Sequence, residues 1–155
     1  MTTEVLEIIG TEPITTHEAK QWLRVYHNND DGFITTVLVP AVRSLFEGRL
    51  DVSLIEKKIR VTVNNTEANF RLPQWPIDAI ETIDPDTLTE TDGVFDNSRG
   101  LDIDVTYTTK AYIKPEIKAA MLNLLSHWYI TRDLATIPDS VEKVIKQNTR
   151  VLWFV

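Results

Sequence analysis

Three histidines, His17, His27 and His127, are the ready general bases of this 155-residue chain. An imidazole does acid–base work near neutral pH only with a nucleophile, carboxylate or metal beside it. His17-Glu18 opens like the helix of a zinc protease, but that motif needs a second histidine where position 21 is Gln. Asn29, Asp31 and Gly32 hint at a calcium loop. Aligning Gly32 with the invariant glycine of such a loop puts His27 at the first ligand position and Leu38 where a bidentate Glu is required. Helix capping explains that run better. Without cysteine there is no thiol nucleophile, disulfide framework or cysteine-ligated metal. Phosphate loops, dinucleotide glycine motifs and nucleophile elbows are also missing. Asn64-Asn65-Thr66 matches a glycosylation acceptor, but without a secretion signal it reads as a turn. The expectation is a chain with no catalytic residue, no metal and no cofactor.

Paired carboxylates are the remaining chemical possibility. Residues 78–104 carry nine acids (Asp78, Glu81, Asp84, Asp86, Glu90, Asp92, Asp96, Asp102 and Asp104) against Arg99 alone. That stretch sums to −8, while the whole chain, with 23 acids and 16 bases, is −7. Its carboxylates mostly stand two to six residues apart without histidine or glycine framing, so they read as a solvated, like-charged face. From Lys143 onward there are three bases and no acid. An acidic chain is a poor general ligand for DNA phosphates.

The elements that must position these groups follow from periodicity. Thr15 and Glu18 form a capping box opening a first helix of about ten residues, with Ala19, Trp22, Leu23 and Tyr26 at helical spacing. Asn28, Asn29, Asp30 and Asp31 break it and supply caps for a second helix whose stripe is Ile34, Val37, Leu38, Ala41, Val42 and Leu45, with a kink expected at Pro40 and a stop at Gly48. Ile59, Val61 and Val63 alternate as a strand, and Phe70 and Leu72 begin its return. The stretch 84–100 reads as an exposed loop, and Leu101, Ile103, Val105 and Tyr107 as a strand with one wet face.

Pro115 opens the strongest helix, with Ile117, Ala120, Met121, Leu124, Leu125 and Trp128 on one face and an end near Arg132. Asp139 and Glu142 have capping-box spacing for a last helix, in which Val141, Val144 and Ile145 face inward. The fold expected is α+β and mainly helical, about four helices with a small antiparallel β region inserted between the second and third. One domain spans 1–155, with 1–12 and 149–155 as extended or partner-dependent ends. The hydrophobic fraction of 43% suits a soluble globular domain. No apolar run approaches the roughly 18 residues of a membrane span, and the acidic MTTEVLE is no signal peptide.

Trp22 and Trp128 lie on helix stripes and are expected in the core. Trp75, between Pro73 and Pro76, and Arg150, Leu152, Trp153 and Phe154, beyond the last helix, are the interface candidates, because large aromatics anchor interfaces.

The order of motifs resembles the head–tail connector (adaptor, or head-completion) family of tailed bacteriophages. Pro13-Ile14-Thr15, Glu18-Ala19-Lys20, Leu23-Arg24-Val25 and Asp30-Asp31 are similar to its start. Leu72-Pro73-Gln74-Trp75-Pro76-Ile77 is similar to its Leu-Pro-x-x-Pro link. Val105-Thr106-Tyr107-Thr108, Pro115 to Ala120, Leu124-Leu125, His127-Trp128-Tyr129 and Arg132-Asp133 resemble its most recognisable stretch, and Ile137-Pro138-Asp139-Ser140-Val141 its closing helix start. The chain departs from the pattern at Pro40, at Tyr107 to Tyr112, where the family's glycine is missing, and in a short 84–100 segment.

The resemblance implies a non-enzymatic virion component at the capsid–tail junction, present in the host cytoplasm during assembly. Roughly twelve copies would close head to tail into a ring. That ring would dock below the portal protein, extend the DNA channel and meet a stopper or tail-completion protein, with no membrane contact. DNA would pass without specific binding, and Asp84, Asp86, Glu90, Asp92, Asp96, Asp102 and Asp104 would face the channel or its rim. The rival reading is a nucleic-acid-binding packaging factor, small-terminase-like, against which the net charge and the missing basic stripe both count.

Overall fold

A computed structural model describes residues 1–64, 69–84, 89–91 and 94–149. The chain divides into two units, residues 1–11 with 55–112 and residues 12–54 with 113–155.

The first unit contains β1 (Thr2–Ile8), β2 (Lys57–Val63), β3 (Asn69–Arg71), β4 (Ile77–Asp84), β5 (Thr89–Thr91), β6 (Val94–Asp96) and β7 (Ile103–Thr109). They form one sheet in the order β1-β2-β7-β4 and another in the order β3-β6-β5, every pairing antiparallel. Side-chain alternation sorts the faces. Ile59, Val61 and Val63 stand opposite Tyr107, Val105 and Ile103, and these six form a buried cluster with Phe70, Leu72 and Phe95. Phe70 and Phe95 are register partners with rings stacked 5.1 Å apart. Buried Tyr107 keeps its phenol satisfied by donating to the Pro73 carbonyl at 2.7 Å, which avoids the cost of an unpaired polar group.

On β4 two register shifts place Ile77, Ile80 and Ile83 opposite Thr109, Tyr107 and Val105. An extra residue at each bulge lets side chains three apart share a face. The edge strand β1 is exposed along its whole length, with Val5 46% and Ile8 53% accessible.

Among the described residues the second unit contains four helices. In α1 (Thr16–Leu23) both bonds of the Thr15–Glu18 capping box are present, and Arg24 ends the helix in the left-handed region. The helix α2 runs through 31–50, as Asp31–Phe33, a π-helical turn Ile34–Leu38 and Val39–Leu50. Its π-helical turn precedes Pro40, whose ring cannot coexist with a regular bond to the preceding turn. The α3 helix (Pro115–Thr131) buries all six residues of its expected stripe, and α4 (Asp139–Asn148) buries Val141 and Ile145. Leu124, Leu125 and Trp128 join Phe46, Val42 and Leu38 among the buried apolar residues of this unit.

Below α2 the charges are tied together. Arg43 donates through Nε to Glu12 at 2.8 Å and through Nη1 to Glu47 at 3.0 Å. Glu47 also accepts from the Leu54 amide at 2.8 Å. The two carboxylates hold the Arg43 guanidinium firmly protonated although burial opposes it.

Several expectations need correction. The chain is not mainly helical with a small β insertion: helix takes 40% and strand 27% of the described residues. A strand precedes the first helix, two sheets are present and the β unit has its own core. The overall α+β character stands. The segment 84–100 is not wholly loop, because β5 and β6 pair within it. Trp22 is 48% exposed rather than core, and Tyr26 lies past the end of α1. Gly48 is inside α2, whose left-handed stop is Asp51. On α4 the cap position falls on Pro138 with no side-chain cap, so Asp139 belongs to the first turn. Among the described residues, no helix is long and apolar enough to cross a membrane.

Candidate functional site

The outer face of the larger sheet is built from three cross-strand rows. Thr2, Thr62, Asp104 and Asp84 form the first, Glu4, Arg60, Thr106 and Thr82 the second, Glu7, Lys58, Thr108 and Ala79 the third. Charges in the last two rows are matched: Arg60 lies 3.7 Å from Glu4, and Lys58 is paired with Glu81. The first row is different. Asp84 and Asp104 are direct register partners, a like-charge juxtaposition that disfavours pairing. Thr62 offsets part of that by donating to Asp104 at 2.5 Å. Asp102, two residues before Asp104, is exposed on the same side by alternation. The result is an acidic corner where β4 ends and β7 begins.

The acidic residues singled out above therefore separate. Asp84, Asp102 and Asp104 come together at that corner. Asp96 lies on β6 of the smaller sheet, exposed, accepting from the Ser98 amide at 2.8 Å. Glu90 lies in β5, while Asp86 and Asp92 fall outside the described residues. A tight turn separates β6 from the corner. The Asn97 side chain accepts from the Leu101 amide and donates to the Leu101 carbonyl, both at 2.9 Å, and Gly100 takes a positive φ of 64°, which glycine adopts without a Cβ clash.

Trp75 is 42% exposed and packs edge-on against Tyr112 with ring centroids 5.1 Å apart. It sits between Gln74, in the left-handed region at φ 58°, and a cis bond to Pro76. Nearby, Asp78 pairs with Lys110 at 2.7 Å and holds its ammonium above the ordinary lysine range. The other interface candidates, Arg150, Leu152, Trp153 and Phe154, fall outside the described residues.

The histidines do not converge. His17 and His27 are exposed at opposite ends of the first helical stretch, and His127 is half-buried on α3. Among the described residues no group of three His, Asp or Glu could hold a metal ion. Two features escaped the sequence reading. One is the bare aliphatic run of β1, whose signal is the pairing of Val5 and Ile8 with β2. The other is a shallow, open depression in the helical unit lined by Ala41, Ser44, Leu45, Gly48, Arg49, Trp128 and Leu134. Its signal is the small-residue spacing Ala41, Ser44, Gly48 along α2.

No protein-family profile matches the sequence, and no curated protein matches it. Solved structures do. The fold described above is similar to that of chains in two gene transfer agent particle structures. In particular, one chain in the neck of an empty gene transfer agent particle, computed with C6 symmetry, matches with TM-score 0.66 at 14% identity over 99% of each chain. A chain of the native gene transfer agent virion matches with TM-score 0.63 at 16% identity, again over 99% of each. The likeness is one of fold.

Proposed function

We propose that this chain is a structural subunit at the head–tail neck of a phage-like particle, acting by fitting against copies of itself and its neighbours and making or breaking no bond. Residues 1–155 serve as one connector domain. The supporting observation is the likeness of backbone to a chain of a particle neck over 99% of each chain. The ordered motifs that resemble the connector family point the same way. Roughly twelve copies form a closed ring by head-to-tail contacts, a number compatible with the sixfold symmetry of the similar particle's neck. In the virion the ring docks under the portal, extends the DNA channel and presents its far face to a stopper or tail-completion protein.

The remaining parts of the molecule have places in this reading. The corner of Asp84, Asp102 and Asp104, with Asp86, Glu90, Asp92 and Asp96, lines the channel or its rim, where negative charge lets DNA slide because nothing there neutralises phosphate. Trp75 and the segment with Arg150, Leu152, Trp153 and Phe154 contact the portal or an adjacent subunit. Electron microscopy and light scattering of the purified chain, alone and mixed with its portal, test the proposal. The expected result is a ring with the acidic corner toward its lumen. A chain that stays solitary at high concentration in both samples overturns the ring, and a reconstruction with that corner on the outer wall overturns the channel assignment.

A further inference from the structure

Successive residues of a strand direct their N–H and C=O groups alternately to its two sides. β1 stands at the end of the order β1-β2-β7-β4, so among the described residues one of its two sets has no strand beside it. Such an edge accepts an added strand, and the side chains of β1 say what that strand must carry. On the outer face Thr2, Glu4 and Glu7 stand opposite Thr62, Arg60 and Lys58. The Glu4 side chain is 63% exposed and lies 3.7 Å from Arg60. Lys58 is committed to Glu81, which leaves Glu7 without an ion pair among the described residues. On the other face Val5 stands opposite Ile59 of the buried cluster and Ile8 opposite Lys57. Both are about half exposed.

A second copy is a poor occupant of this edge. The chain has no lysine or arginine before Lys20, so β1 against β1 sets carboxylate near carboxylate. β4, the other edge of the same sheet, carries Asp78, Glu81 and Asp84. Like charges across neighbouring strands disfavour pairing. The edges of the smaller sheet, β3 and β5, are three residues each against the seven of β1. The register shift between Val5 and Glu7 also counts against a preformed sheet edge, because a bulge bends the strand and increases its twist. A segment not yet committed to a sheet can follow that bend.

We infer that β1 receives an extended segment of another protein, one in which lysine or arginine alternates with apolar residues. Main-chain hydrogen bonds to the free side of β1 supply the hold, and the alternating side chains supply the selectivity. Basic side chains lie beside Glu4 and Glu7, and apolar ones cover Val5 and Ile8. Side chains directly opposite on neighbouring strands are about 4.5–5.5 Å apart, close enough to give each carboxylate a cation. The contact needs one subunit only, so it stands or falls separately from ring formation.

The test follows amide hydrogen exchange of the dilute, full-length chain by nuclear magnetic resonance. Two short peptides are the probes, one alternating lysine with valine and one alternating glutamate with valine. The lysine peptide should protect alternate amides of β1, those on the side away from β2, and should bind about tenfold tighter than the glutamate peptide, as expected when two favourable cross-strand pairs replace two unfavourable ones. Glu4→Lys with Glu7→Lys should reverse that preference. Should this variant fail to fold, Glu4→Gln with Glu7→Gln decides, and there the preference should vanish. Absence of β1 protection at millimolar peptide, or equal protection by both peptides, overturns the inference. A preference that survives in the variants overturns it too, because the lysine peptide then sits on the acidic corner instead. Protection of the same amides that rises with protein concentration alone would make a second copy the occupant and would equally overturn it.

Discussion

Replacing Glu47 by alanine should be the most damaging single polar change in the helical unit. The Glu47 side chain is 5% exposed and that of Arg43 is 11%. Two partners lose their acceptor together: the Leu54 amide, now 2.8 Å from the carboxylate, and the Arg43 guanidinium, at 3.0 Å. Breaking one side of a buried ion pair costs about 3–5 kcal/mol. Arg43 keeps Glu12, whose side chain is 30% exposed, so the low end, about 3 kcal/mol, applies. With a urea slope of about 2 kcal/mol/M for a domain of this size, the midpoint falls by about 1.5 M. Urea unfolding followed by the helix band of far-UV circular dichroism measures this. Glu47→Gln, which preserves an acceptor for Leu54, should lose about half as much. Replacing both partners, Arg43→Met with Glu47→Leu, should recover part of the loss, because no charge is then left buried alone. A Glu47→Ala cost under about 1 kcal/mol, or a double variant worse than the single, would refute the reasoning.

Two further outcomes concern one ion pair and one ring stack. Hydrogen bonds from Lys118, at 2.6 Å, and from the Thr15 cap pull the Glu18 carboxyl from 4.5 to about 2. The stability it contributes is therefore full above pH 4.5 and is lost as the pH falls toward 2. The pair is partly exposed, which limits the loss to about 1 kcal/mol, and acid titration of Lys118→Met should lack this component. In the β unit, Phe95→Ala removes the ring stacked on Phe70 and should cost about 3–5 kcal/mol. Amide exchange in β2 and β7 should then accelerate, and unchanged protection would show that the smaller sheet is dispensable to the core.

Elements whose partners are local could be read from sequence. The capping box of α1 and the six-residue stripe of α3 depend on residues three or four apart, and both stand in the structure. The strands β2 and β7 were visible because strict alternation marks a half-buried sheet. What could not be read depends on distant pairing. β1 is a strand because β2 lies alongside it more than fifty residues later, and the break between Val5 and Glu7 spoils its alternation. The isoleucines of β4 follow a period of three that only two bulges explain. Trp22 has the right spacing for a core position, but the helix presents that turn to solvent. The acidic candidates were legible as a charge imbalance, whereas their division between two sheets needed the register.

The exposed first strand has a practical consequence for anyone producing this protein by itself. Among the described residues its outer edge has no hydrogen-bonding neighbour, and Val5, Leu6 and Ile8 are bare. Such a strand is a template for runaway pairing and fibrous precipitates. Glu4 and Glu7, with the bulge between Val5 and Glu7, act as gatekeepers that slow this without abolishing it. Yield should then depend on salt, because screening those two carboxylates removes the repulsion that keeps neighbouring molecules apart.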